Sequence, residues 1–524
     1  MFIKREKLHV DLPILIAVII YAYFINWYSG NIGVLPIDSF AFLDSGNSIL
    51  QGHLPIRDFW AFTGIIIDYI QSIFFLLFGK SWNSYLAHSS FMNTIATTSL
   101  FFFLKEFNLK LKYVVFYCIS FATLCYPISG TPFHYIHAYI FSLISIFCII
   151  IAIKNKNKFL WFSLPFISLF AFLSMQTPTA YILIIFFFFL LYYFLNSKDF
   201  NSLKFFFCGV ISSLVLFSLF IFLTSTPLID FFYQYLLFPI SIGEARMSSD
   251  SSAYVRLVEQ LNFKRIFGEF KFIHIFLLPL ILISLKNLSK NRHIDMLNLI
   301  IILSCLAYFF NQLLTANQIY IFSLIPLLAA TLQINLNFLK IDSKYFLIII
   351  LIVVFTTTKY HLRFNLDKKF HDLESTNKAQ AVKASKINKN FNNLKWISSF
   401  DDPKNEIKVI KAAVEVMTRD NRNKTLLTHY HFMSLISDQK FNILNRWYLW
   451  SNDTHPTENH KYYKFYRSFV NKNLIENKIE VIYLLGQKNE INFENVKNYF
   501  EGICFENKVI ITQRFSSHKI VECK

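Results

Sequence analysis

Charge is scarce in this chain. Only 16% of its 524 residues are Asp, Glu, Lys or Arg, against about 25% in an ordinary soluble domain. Twelve glycines exclude collagen-like and Gly-rich low-complexity architectures. No CxxC, HExxH or Cys/His cluster occurs, so a structural zinc site has no support. Acidic residues are the scarcest charge, 33 against 51 basic, for a net +18. The basic residues are scattered among apolar spans and form no single face, which excludes nucleic acid as a partner. What is abundant is apolar: 54% of residues, 62 of them Phe, with a mean hydropathy of +0.42. That is the composition of a membrane protein.

A bilayer-crossing helix needs about 20 apolar residues. Eleven segments qualify, a few of them short: 12–28, 83–104, 113–129, 138–153, 159–175, 180–196, 205–223, 272–285, 296–314, 319–334 and 345–358. A twelfth, 62–78, contains Asp68 and Gln71. Loops 1–11, 105–112, 154–158, 197–204, 286–293 and 335–344 hold sixteen Lys or Arg; loops 130–137, 176–179 and 315–318 hold none. If 62–78 lies in the interface, all sixteen face the cytoplasm; if it spans, thirteen of them move outside. It is therefore read as a juxtamembrane helix, with the N-terminus inside and the C-terminus outside. The first segment lacks a small-x-small cleavage site and reads as retained. A first loop (29–82), a loop at 224–271 and a tail (359–524) then share the external face of what reads as a bacterial inner or plasma membrane.

The tail carries 28 basic and 18 acidic residues, a net +10. TLLTHY (425–430), IEVIYLLG (479–486) and KVIITQRF (508–515) read as strands; 405–418 and 461–475 have helical spacing. The fold class is thus an α-helical polytopic membrane domain (1–358) followed by a small external α/β domain (359–524). The Lys- and Asn-rich stretch 366–395 reads as a linker with a helix. Five cysteines fall in spans as small apolar residues. Cys504 and Cys523 flank a strand–turn–strand signal and read as a disulfide, the alternative being two unpaired strand thiols.

No acidic residue and no Lys or Arg lies inside the eleven spans, which disfavours an ion-coupled transporter. The chemistry-bearing residues are in the first loop. Asp38 follows Pro36, and a helix is expected from there to Gln51, ended by Gly52. Asp44, six residues on, lies about 240° around that helix, on another face. Asp38, then Gly52-His53-Leu54-Pro55-Ile56-Arg57-Asp58, then Leu76-Leu77-Phe78-Gly79 follow in order.

This arrangement resembles the GT-C class of polytopic glycosyltransferases, such as protein O-mannosyltransferases and lipid A aminoarabinose transferases, over residues 10–358. The tail matches no pattern of that class. The resemblance implies sugar transfer from a polyprenyl-phosphate donor to a lipid, glycan or protein acceptor at the outer face, among membrane lipids. A carboxylate would take the acceptor's proton; positive charge or a divalent metal would stabilise the departing phosphate. By the class pattern Asp38 would be the base, its bland alternative being a helix N-cap, and Asp44 the second choice. Asp58 reads as an N-cap or as the partner of Arg57. Where relatives carry an acidic residue, this chain has SGTPFHYIHA; His134 and His137 could bind phosphate or metal, or merely hydrogen-bond. Gln176 stands where relatives often hold Lys. Arg246 suits the phosphate, with pairing to Glu244 the competing reading and Arg57 the alternative ligand.

Two other classes stay open: a flippase or polymerase of lipid-linked glycans, and a non-catalytic receptor or scaffold acting through the tail. A flippase should line a membrane-depth cavity with polar groups, which the spans lack. A scaffold should dispense with the first-loop carboxylates.

Overall fold

The computed structural model describes residues 5–34, 36–126, 130–248, 255–286, 291–316, 318–342, 344–370, 373–448, 452–486, 493–506 and 509–523. Lys4, Asp250, Lys290, Asp372, Lys488, Glu490, Lys508 and Lys524 of the charge counts, and Ser129 and Lys508 of the quoted segments, lie outside them.

Most of the chain is helical. Among the described residues six helices are long and apolar enough to cross a membrane: Asp11–Gly30, His134–Asn155, Gln176–Ser197, Phe200–Leu223, His293–Thr315 and Lys344–Leu366. Four more of the expected spans fall on shorter apolar helices, Leu111–Leu124, Lys158–Ser174, Lys271–Leu285 and Leu324–Phe338. The remaining one falls on Trp82–Glu106, which buries Ser89, Asn93 and Thr97 among apolar residues such as Leu86, Leu100 and Phe103.

His134–Asn155 is the most enclosed of the six, and Phe200–Leu223 the least. The latter leaves Phe222 and Leu223 78% and 71% exposed, an apolar surface suited to hydrocarbon and not to water. Local chemistry sets the turns between helices. Asn157 accepts from the backbone N–H groups of Phe159 and Leu160, and Asp199 from that of Ser202; such side chains satisfy the donors that a helix start leaves over. Inside the helical body polar groups satisfy one another, as in the Asn298–Asn335 amide pair at 2.8 Å.

The first loop departs from its expected form. A single turn, Pro36–Ser39, is followed by a separate helix, Leu43–Leu50, because residues 40–42 turn Phe40 and Phe42 into the core. The helix Ile65–Phe78 buries Asp68, Gln71 and Ser72 and exposes Leu76, Leu77 and Phe78. Its polar side faces protein.

The tail is built on a five-stranded sheet. β1 (Val382–Lys383) and β2 (Lys395–Trp396) form a small separate hairpin. β3 (Lys424–Thr428) and β4 (Val481–Leu485) run parallel and are buried throughout, as strands covered on both faces are. The helix Tyr463–Glu476 lies between them in sequence and supplies the crossover that a parallel pair needs. β4 pairs antiparallel with β7 (Phe515–Val521), which also pairs with β5 (Cys504–Phe505) and β6 (Val509–Thr512). A disulfide joins Cys504 to Cys523 across the β5–β7 edge. The helix Pro403–Arg419 opens with Asp402 accepting from Lys404 N and Asn405 N, and with proline at its first position.

The stretch 366–395 is not a free linker. Its described residues hold 3₁₀ turns and strands, with no α-helix. Phe370, Leu373, Ala384, Phe391 and Leu394 are buried, and Lys368 is buried too, its Nζ donating to Ser29 O at 2.9 Å, so apolar anchors outweigh the polar composition. The chain beyond it is stitched to the first loop. Lys395 O accepts from Gly33 N at 3.0 Å, Lys395 N donates to Asn31 O at 2.9 Å, and Ile397 O accepts from Val34 N at 3.0 Å. Further on, Trp60 N donates to Leu444 O at 2.8 Å and Arg446 N to Trp60 O at 3.1 Å. Phe40, Trp82, Phe391, Trp396 and Phe432 share one core. Tail and first loop form a continuous body.

Candidate functional site

Where the first loop, the second loop, the start of helix His134–Asn155 and the tail converge, they enclose a cavity of about 870 Å³. Asp38, His134, Gln176 and Arg246 all line it. These four come from separate parts of the sequence, and each was singled out from it. Much of the remaining wall is apolar, including Phe62, Phe172, Met175, Leu236 and Ile240.

Asp38 is the third residue of the turn Pro36–Ser39, inside the helix and not preceding it as an N-cap would. Gln176 is fixed by its amide, whose nitrogen donates to Phe62 O and Tyr235 O, both at 2.8 Å. It ties the first loop to the second. Arg246, on the helix Phe238–Met247, donates through Nε and Nη2 to Asp453 Oδ1 at 3.1 and 2.5 Å. The sequence pointed to Glu244 as its partner, but residues two apart on a helix face different ways. Glu244 instead accepts from Lys461 Nζ at 2.7 Å. Both ion pairs clasp the second loop to the tail.

The other sequence candidates lie elsewhere. Asp44 is 2% exposed and accepts from the backbone N–H and hydroxyl of Ser434, because tail helix Met433–Ser437 covers its side of Leu43–Leu50. Burial pushes its carboxyl up to about 7, against the lowering effect of those hydrogen bonds. It does not line the cavity. Arg57 and Asp58 form a two-pronged pair at 2.7–3.1 Å; Arg57 also donates to Thr224 O and Gly52 O, and Asp58 accepts from Leu54 N. That arrangement clamps the loop's own backbone and ties it to the start of the second loop at Thr224, and it too lies off the cavity lining. His137 diverges from His134: its Nε2 lies 3.0 Å from His88 Nε2 and its Nδ1 3.0 Å from Phe133 O, within the helical body.

The sequence reading missed the tail's share of the site. Phe400, Trp447, Asp453 and Thr454 all line the cavity. Behind Trp447, Arg446 forms an ion pair with Asp68, 1% and 0% exposed, and donates to Thr63 O. Ser45 Oγ donates to the other carboxylate oxygen of Asp68 at 2.5 Å. The run Arg446-Trp447 carried a signal in residue type alone, an arginine beside tryptophan in a segment with neither helical nor strand period.

Among the described residues, no group of three or more His, Cys, Asp or Glu side chains is arranged to hold a metal. Asp453 is committed to Arg246. The cavity can offer a carboxylate, a guanidinium, an imidazole and a long apolar wall to a single ligand. No protein-family model matches the chain, and no curated protein matches it either.

Proposed function

We propose that the chain is an inverting membrane glycosyltransferase that moves a sugar from a polyprenyl-phosphate donor to a hydroxyl acceptor at the external face. It would have eleven spans, a cytoplasmic N-terminus and an external tail. The observation that carries the reading is the convergence of Asp38 and Arg246 on one cavity with an apolar wall. An isoprenoid phosphate sugar has three parts: a hydrocarbon chain, an anionic phosphate and a polar ring. An apolar wall suits the first and a guanidinium the second.

In the transfer step the acceptor oxygen attacks the anomeric carbon while its proton passes to the Asp38 carboxylate. The bond from the anomeric carbon to the phosphate oxygen breaks, and its electron pair leaves with the phosphate. Arg246 stabilises that developing charge, with Asp453 holding the guanidinium in orientation. His134 and Gln176 line the ring's surroundings.

The test is purified full-length protein assayed with a panel of polyprenyl-phosphate sugars for transfer or donor hydrolysis. Asp38→Asn should lower turnover about 10²–10⁴-fold, the range of a general base. Full transfer by an inserted Asp38→Asn protein would remove Asp38 as the base. If the wild type consumes no donor, the glycosyltransferase reading fails. Products extended by repeated units would identify a polymerase instead.

A further inference from the structure

Lys271 opens the helix Lys271–Leu285, and Lys359 lies in the last turn of the helix Lys344–Tyr360. Both ammonium groups sit over the same Phe272 ring, 5.4 and 5.2 Å from its centre. Arg363 follows four residues after Lys359 and is exposed. Among the described residues neither lysine has an ion-pair partner. Glu269, two residues before Lys271, is paired with Arg265 at 3.7 Å. Arg363 meets Glu374 at 3.5 Å, a pair 52% and 67% exposed, and surface pairs of that kind contribute little. Like charges gathered without a counter-charge repel one another, and an anion bound among them removes that cost. Lys271 also stands at a helix start, where the dipole itself favours an anion.

Below the three cations the two helices expose apolar stripes. Lys271, Ile275, Leu278, Leu282 and Leu285 recur at alternating four- and three-residue intervals, the spacing of one helix face, and all are exposed. On the neighbouring helix Lys359 tops the exposed Phe355, Leu351 and Ile348 at the same spacing. The Phe272 and Phe355 rings, 5.7 Å apart, join the two stripes. From Ile275 to Leu285 the stripe runs about 15 Å, the hydrocarbon depth of one leaflet in a core about 30 Å thick. Phe263 and Phe267 of the second loop are 78% and 46% exposed, and the Phe267 ring lies 5.2 Å from that of His274, in the first turn of the same helix. Exposed aromatic side chains beside basic ones suit the level where headgroups meet acyl chains. A cation cluster alone fits any anion, and an apolar stripe alone fits any lipid. Their junction fits one molecule that has both an anionic head and hydrocarbon chains.

We propose that Lys271, Lys359 and Arg363 form a binding site for an anionic phospholipid, with its phosphate among the three cations and its acyl chains along the two stripes. None of the three lines the cavity, so the site is separate from that of the proposed sugar transfer and does not rest on that reading. A zwitterionic lipid brings its own ammonium, which the three cations repel.

Native mass spectrometry of the purified full-length protein in detergent tests this, with phosphatidylglycerol and phosphatidylcholine of identical chains as probes. The wild type should retain phosphatidylglycerol preferentially. The Lys271→Gln, Lys359→Gln double variant should lose about tenfold in phosphatidylglycerol affinity with phosphatidylcholine unaffected, since each lysine near a lipid surface contributes several-fold. Lys271→Arg, Lys359→Arg keeps both charges and should keep the preference, which separates charge from packing on Phe272. Arg363→Gln, at an exposed position, should lose about threefold and decides the matter if the double variant does not fold. Glycerol phosphate, a soluble headgroup without chains, should not displace the lipid at equal concentration. Equal retention of the two lipids by the wild type, or an unchanged preference in both glutamine variants, overturns the proposal. Displacement by glycerol phosphate as effective as by lipid also overturns it, leaving a site for small anions. Absence of sugar transfer would leave this site untouched.

Discussion

Arg446 of the tail and Asp68 of the helix Ile65–Phe78 form an ion pair in which neither side chain reaches solvent. Asp68 also receives Ser45 Oγ, and Arg446 also donates to Thr63 O, so most of the hydrogen-bonding capacity of the carboxylate is used. Removing one member strands a buried charge. Arg446→Met should destabilise the protein by about 3–5 kcal/mol, and Asp68→Leu combined with Arg446→Met should recover most of that. Thermal melts of the three proteins in one detergent measure the coupling; strict additivity of the two single effects would show that the charges do not depend on each other.

Asp44 makes a separate prediction about pH. Its carboxyl is raised by burial from the ordinary 3.8 to about 7. The folded chain thus holds this proton more tightly than the unfolded one. The associated stability is complete below about pH 4 and is lost as pH rises through about 7. Asp44→Asn is neutral at every pH, so its stability relative to wild type should improve between pH 5 and pH 8. Parallel pH–stability profiles for the two proteins would contradict the burial of this group beneath Ser434.

The Arg246–Asp453 pair connects tail and second loop at the cavity wall. Arg246→Ala should raise the donor KM by roughly 10–100-fold, the effect of losing a charge-assisted hydrogen bond of about 1.5–3 kcal/mol. Arg246→Lys should restore only part of it, since an ammonium lacks the planar fork. Asp453→Asn should give a smaller defect in the same parameter. An unchanged donor KM in Arg246→Ala would take the guanidinium out of the site.

Cys504 and Cys523 are 19 residues apart and close a loop containing β6 and β7. Closing a loop of that size is worth about 3 kcal/mol in chain entropy. The Cys504→Ser, Cys523→Ser double variant should melt earlier, with a loss confined to the β5–β7 edge, and reductant should do the same to the wild type. Non-reducing peptide mapping that recovers both thiols free would contradict the bond.

Sequence legibility followed the range of each interaction. β3, β4 and the helices Pro403–Arg419 and Tyr463–Glu476 were readable because strand and helix periods are local properties. Asp38, His134, Gln176 and Arg246 were readable as residue types beside turns between apolar segments, and they do meet at one cavity. Asp44 and His137 lie off the cavity lining, since the face each presents is decided by Ser434 and His88 at a distance. Asp453 was invisible for the same reason, and Trp447 offered only its residue type. Nothing within a few residues of them announces that they reach the first loop and the second. The helix Ile65–Phe78 shows the limit most clearly: its Asp68 was read as a mark against spanning, and the structure pairs it with a guanidinium 378 residues away.

That separation governs how the molecule is made. Synthesis begins at the N-terminus, so Asp68 exists for most of translation with no Arg446 to meet. The same holds for Gly33 and Val34, whose hydrogen-bond acceptors arrive with Lys395 and Ile397. The first loop therefore reaches its final form only when the last quarter of the chain has emerged. A product cut short before Arg446 would carry every expected span and the candidate base, yet have no finished cavity around it.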